Sequence, residues 1–169
     1  MDLITLLSEK RSIIVKRWIA VALESYPSDT AGFLKNHRNR FTNPVGYSLS
    51  QGLETILDGL IRSSAFETIT PALDSIVRVT AVQGLTPAQA LGFLFRLKEI
   101  VREVIGEIAG SCSDELRALD SRIDALVLLA FDIYMQCREK IYDLKATESR
   151  NMTFRLLQRA KIITGDKPE

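Results

Sequence analysis

The chain has 169 residues, 46% of them hydrophobic, which is enough to bury one core without disulfides or a structural metal. Its 22 Lys and Arg nearly balance 21 Asp and Glu, so no net field favours nucleic acid, acidic substrates or an anionic membrane. Cys112 and Cys137 lie far apart without a CxxC or Cys/His pattern, which argues against a disulfide framework and a zinc site and for reduced thiols in a cytoplasm.

The N-terminus, MDLITLLSEKRS, is not a signal peptide, because charges interrupt its short apolar run. No stretch reaches the roughly 20 apolar residues of a membrane helix. Leu3, Leu6, Leu7, Ile14, Trp18, Val21 and Ala22 trace one face of a first helix from about Asp2, which can cap it, to Ser25. Tyr26-Pro27 ends it. Residues 28–44 mix turn formers with Phe33, Leu34 and Phe41, so a long connection containing a short helical turn is expected. Asn43-Pro44 opens a second helix, with Val45, Leu49, Leu53, Ile56, Leu57, Leu60 and Ile61 inward and Gln51, Glu54 and Asp58 outward. Gly46, Gly52 and Gly59 weaken that helix, so a close helix crossing or a ligand cleft is expected beside them.

A third helix runs from about Ala65 to Gln83, with Pro71 marking a kink or a restart and Leu73, Ile76, Val77 and Thr80 facing the core. Gly84 can close it through a positive φ, Thr86 can cap the next helix, and Pro87 suits its first turn. In that fourth helix Ala90, Leu94, Leu97, Val101, Val104 and Ile108 form a continuous stripe, until Gly110-Ser111 breaks it. Ser113, followed by Asp114 and Glu115, starts a fifth helix. Its stripe of Leu116, Leu119, Ile123, Leu126, Ala130, Ile133 and Cys137 suggests a bundle seam or coiled coil. No Gly or Pro interrupts the chain from Arg138 to Thr164, so the helix is expected to leave the body as a dimer strut or signal-carrying linker. The architecture read from this pattern is an all-α helical bundle with a long C-terminal helix, divided into a body over 1–145 and a helical extension and tail over 146–169.

The chemistry-bearing residues are sparse. His37 is the single histidine and lies in the polar stretch NHRNR, which suits neither a haem ligand nor a Ser-His-Asp triad. Cys137 falls on the core stripe, and Cys112 at a helix junction reads as a surface thiol. The glycines near NPVG lack the GKS or GKT of a phosphate loop, and KNHRNR lacks the interleaved aromatics of a nucleic-acid patch. Asp132 stands in the apolar run LLAFDIYM, and a carboxylate entering a core needs a cation. Arg78, Arg96 and Lys98 are the expected partners. The structural role of such a bridge is to fix helix register; its functional version makes Tyr47, Arg78, Gln83, Lys98 and Asp132 the polar lining of a ligand pocket.

Three segments, FTNPVGYSLSQGLETIL, RVTAVQGLTPAQALGFLFRLKEIVR and AFDIYMQCREKIYDLKATESR, together resemble the N-terminal domain of the RsbRD-type co-antagonist proteins of the RsbT kinase. The resemblance extends over about Leu3 to Leu157. It implies an all-helical regulatory domain, the sensory half of stressosome-like regulators, and the related RsbR sensor domains imply a globin-like fold without haem that dimerises. In that family a STAS domain commonly follows and contacts the kinase. With the sequence ending at Glu169, a stand-alone sensor or a fragment is expected, and not a direct kinase antagonist.

The resulting expectation is a non-catalytic regulatory sensor or protein-interaction domain acting as a homodimer, without cofactor, metal, nucleic acid or membrane insertion, and with an unidentified regulatory protein partner. The alternative is an accessory protein, binding a small ligand or serving a redox partner, with a globin-like pocket between the fourth and fifth helices.

Overall fold

The computed structural model describes residues 2–26, 32 and 43–160, apart from the side chains of 107 and 108. Three of the helix starts follow from side chains that satisfy otherwise unpaired amides. At α1 (Leu3–Glu24), Asp2 Oδ1 accepts from the Thr5 amide at 2.9 Å. At α2 (Pro44–Ile61), Asn43 Oδ1 accepts from the Gly46 amide at 2.8 Å. Thr86 and Gln89 form a reciprocal capping box at the head of α4 (Pro87–Ile105), a device whose loss costs about 1 kcal/mol. Helix α3 (Phe66–Val82) has no side-chain cap, and α5 (Ser113–Arg159) has Asp114 and Glu115 in its first turn instead.

The stops are equally local. Gly84 has φ 73° in the turn after α3. The expected break at Gly110-Ser111 falls earlier, because Gly106 takes φ 54° and ends α4 at Ile105. A 3-10 segment, Gly106–Cys112, then leads directly into α5. Pro71 neither ends nor restarts α3, which runs continuously across it.

The helices pack as a bundle in which α2 pairs with α3, α4 with α5, and α1 lies against α4 and α2, while α5 also crosses α3. Trp18 is wholly buried, and its indole N–H donates to the Phe93 carbonyl at 2.8 Å, so the largest core side chain leaves no polar atom unpaired. A Cβ on Gly52 would approach Ile76 Cδ1 to 2.8 Å, and one on Gly59 would approach Ile69 Cγ2 to 2.3 Å. Those two glycines therefore permit the close α2–α3 crossing expected of them. Arg11 ties α1 to α2 through two contacts with Asp58 (2.6 and 3.0 Å) and one with Glu54 (3.1 Å). Hydrogen bonding to Asp58 raises the guanidinium pKa further, against partial desolvation.

The expected inward stripes are buried for the most part, Val21 and Val104 being half-buried and the Ile108 side chain lying outside the described residues, and two expectations are corrected. Val45, in the first turn of α2, is exposed and not inward, because it borders an open cavity between α2 and α3 instead of a packed side chain. Cys112 is buried and not a surface thiol, since the 3-10 segment folds it under the bundle. Cys137 is buried as expected and is the last buried residue of α5. Beyond it the helix continues to Arg159, roughly 33 Å at 1.5 Å per residue. No strand occurs among the described residues, and no helix there is long and apolar enough to cross a membrane. The expected helical turn near Phe33 and Leu34, and His37 itself, lie outside the described residues.

Candidate functional site

The five residues expected to line one pocket are dispersed. Arg78 Nε donates to Asp74 Oδ2, one turn back on α3, at 2.5 Å. Lys98 on α4 pairs with Asp124 on α5 at 2.6 Å. Gln83 is hydrogen-bonded to the Tyr26 hydroxyl, and Tyr47 is half-buried in the first turn of α2. Asp132 is exposed on the outer side of α5 and has no ion pair or hydrogen bond among the described residues. The bridge expected from Asp132 to Arg78, Arg96 or Lys98 is therefore not formed. The reason is helical phase: Asp132 follows the buried Ala130 by two residues, about 200° round the helix at 3.6 residues per turn.

Of the five, Arg78 lines a concavity, and Gln83 meets it only through Tyr26. A cavity of about 360 Å³ lies between α2 and α3, lined chiefly by Tyr26, Val45, Leu49, Ile76 and Val79, with Arg78 and Asp74 among its polar groups. Burial pushes the Tyr26 phenol above its ordinary range, only partly offset by the hydrogen bond to Gln83. The Asp74–Arg78 pair internally compensates its own charge, so the surroundings suit an uncharged apolar molecule better than an anion.

A second cavity, about 270 Å³, sits between the start of α1, the end of α2 and α5. Its cation, Arg122, donates through Nη2 to Ser64 O at 2.6 Å and lies 5.2 Å from the Phe66 ring centroid. Arg122 Nη2 also reaches Gly59 O at 3.5 Å. This is a charge closing the carbonyl end of α2, a favourable use of the helix dipole. Its Nε is buried with no hydrogen-bond partner among the described residues. Beside it, Glu115 Oε2 accepts from the Leu3 amide at 2.7 Å.

The place where α5 leaves the body is more elaborate than its sequence suggests. The Tyr134 hydroxyl donates to the Leu85 carbonyl, and Arg138 Nη1 donates to the Ala81 carbonyl at 3.1 Å. Arg138 Nη2 meets the Tyr142 hydroxyl at 2.7 Å, with the guanidinium 4.8 Å from that ring centroid. Two side chains one turn apart on α5 thus grip the end of α3 and the α3–α4 turn. A Tyr-x-x-x-Arg pair at i and i+4 marks a helix face, but nothing local says that its partners are carbonyls some fifty residues earlier. Among the described residues no three His, Cys, Asp or Glu side chains cluster as metal ligands.

Residues 13–149, which reach into all five helices, match a family model described as the RsbT co-antagonist protein rsbRD N-terminal domain. Searches of curated proteins and of solved structures gave no match.

Proposed function

The chain belongs to the RsbT co-antagonist RsbRD N-terminal domain family, and from that premise we propose that it is a non-catalytic sensor and protein-interaction domain of a cytoplasmic stressosome-type regulator, working as a homodimer. The observation that supports this most is the bare outer part of α5. Leu144, Met152 and Leu156 are exposed there, continuing a stripe that the body covers as far as Cys137. A helix of this kind is suited to carry a change in body packing to a partner, provided the partner binds the two packings with different affinity. In this reading residues 1–145 form the sensing body and 146–169 the extension and tail.

Light scattering of the full chain, alone and mixed with a STAS-containing stressosome regulator, tests the proposal. A homodimer is expected, together with a mixed complex that is lost when Leu144 and Met152 are both changed to Ser. A monomer at high micromolar concentration with no mixed complex would overturn it.

A second reading has its own observation. The cavity beside Tyr26, Arg78 and Val79 is of a size used for small ligands, which favours a small-molecule signal entering between α2 and α3, with Arg78 and Gln83 as its polar neighbours and Tyr47 nearby on α2. Lys98 and Asp132 have no part in that site. A thermal-shift screen with uncharged apolar compounds checks it. A ligand at 100 times its dissociation constant adds about 2.7 kcal/mol, and a Val79→Trp chain should lose the response.

A further inference from the structure

The second cavity, between the start of α1, the end of α2 and α5, shares no lining residue with the one beside Tyr26. Its floor is apolar, with Leu7, Leu60 and Leu119 all buried. Its charges stand at two ends. Asp2 and Glu115 mark one, where Glu115 Oε2 holds the Leu3 amide and the other oxygen has no hydrogen-bond partner among the described residues. Arg122 marks the other. Only its Nη2 meets carbonyls, and Nε and Nη1 have no acceptor among the described residues. Glu115 and Arg122 lie on one face of α5, two helical turns and about 10 Å apart along the axis, with the exposed Ala118 between them. At that separation neither charge neutralises the other, unlike the contacting Asp74–Arg78 pair of the first cavity.

Ser63, next to the Ser64 carbonyl that Arg122 holds, lines the same cavity. It takes φ 50° just past the end of α2, where the Ser64 amide closes the helix on the Gly59 carbonyl at 2.9 Å. Glycine usually occupies this position, because it adopts the left-handed conformation without strain. The serine carries that strain and adds a hydroxyl that has no hydrogen-bond partner among the described residues.

We propose that this cavity binds a small aliphatic zwitterion, with its ammonium against Glu115 and Asp2, its carboxylate against Arg122 and Ser63, and its methylene chain over Ala118 and the leucine floor. The arrangement of charge selects this class. An anion alone meets carboxylates at the far end, and a cation alone leaves Arg122 unanswered. An elongated zwitterion satisfies both ends through charge-assisted hydrogen bonds while its chain covers the apolar floor. The volume, about 270 Å³, suits a molecule of metabolite size. The site depends neither on dimerisation nor on the cavity beside Tyr26.

Calorimetric titration of the full chain with 6-aminohexanoate tests this, with hexylamine, hexanoate and β-alanine as comparison probes and circular dichroism as the folding control. One saturable site is expected for 6-aminohexanoate. Each comparison probe should bind at least about tenfold more weakly, because it lacks one charged end or the span between the two. Glu115→Gln keeps an acceptor for the Leu3 amide but removes the charge, so it should weaken 6-aminohexanoate about tenfold without weakening hexanoate. Ser63→Gly should raise the urea midpoint while weakening 6-aminohexanoate about fivefold. Ala118→Trp, at an exposed position of α5, should stay folded and bind none of the probes. No binding of 6-aminohexanoate at millimolar concentration would overturn the proposal, as would full binding by a folded Ala118→Trp chain. Equal affinity for all the probes would overturn recognition of two charged ends. None of these outcomes bears on the homodimer or the mixed complex, which are read by light scattering.

Discussion

The inner and outer parts of α5 are one uninterrupted helix with opposite surroundings. From Ser113 to Cys137 its stripe of Leu116, Ile123, Leu126 and Ala130 is buried against the other helices, and Arg122 and Tyr134 fasten it to the two turns that flank α3. From Arg138 to Arg159 comparable residues recur, but Leu144 is 70% exposed and no residue is buried. Periodicity thus identifies an apolar face without saying what covers it. Helical stability in proteins comes mainly from packing of that face, so the outer part depends on the inner one as its nucleus and leaves its own face exposed.

The sharpest way to break the comparison is to make the same kind of truncation in both parts. Leu126→Ala removes a wholly buried side chain, and urea denaturation should show a loss of about 2–5 kcal/mol. Next in size is Gly59→Ala, where the added Cβ meets Ile69 at the α2–α3 crossing beneath Arg122. A loss of about 1–3 kcal/mol is expected by the same measurement. A neutral result would mean that α3 can slide away from α2, and that the inner part of α5 rests on a looser platform than its contacts suggest.

Tyr134→Phe deletes a single hydrogen bond to Leu85 at the boundary between the two parts. It should cost about 1 kcal/mol and speed amide exchange in the outer part more than in the inner. The pH dependence of the neighbouring turn is smaller. Burial raises the Tyr26 pKa above its unfolded value near 10. The folded state therefore retains a proton that the unfolded state loses, and stability that is full below pH 10 declines as pH rises through the interval up to the raised value. Tyr26→Phe should remove that part of the alkaline decline in denaturation midpoints, leaving the helicity of the outer part unchanged.

Much of this fold is legible because its signals are local. Asp2, Asn43-Pro44, Gly84 and Thr86-Pro87 act within one helical turn, and each does what its residue type allows. Gly106 and Gly110 are equally good stops in sequence, and only the path into α5 selects the first. Asp132, a single charge in an apolar run, looks buried in sequence unless its phase against Ala130 and Ile133 is respected. The site is less legible than the fold. Arg78 borders the cavity as its place on α3 allows, but Tyr134 and Arg138 act on carbonyls that no local pattern connects to them.

The smallest expected effect is the most telling for the comparison. Leu144→Ala removes as many atoms as Leu126→Ala, yet no helix packs on Leu144 within the body. Its stability should change by no more than about 0.5 kcal/mol, since alanine is a good helix former and an exposed position leaves no cavity. The measurement is the same urea titration, made at a protein concentration low enough that association does not enter. A loss approaching that of Leu126→Ala would mean that the outer stripe is already covered by the chain itself, and the extension would then have no free face to offer. A silent substitution that nevertheless weakens the mixed complex would place Leu144 where the geometry leaves it, outside the fold and inside the interaction.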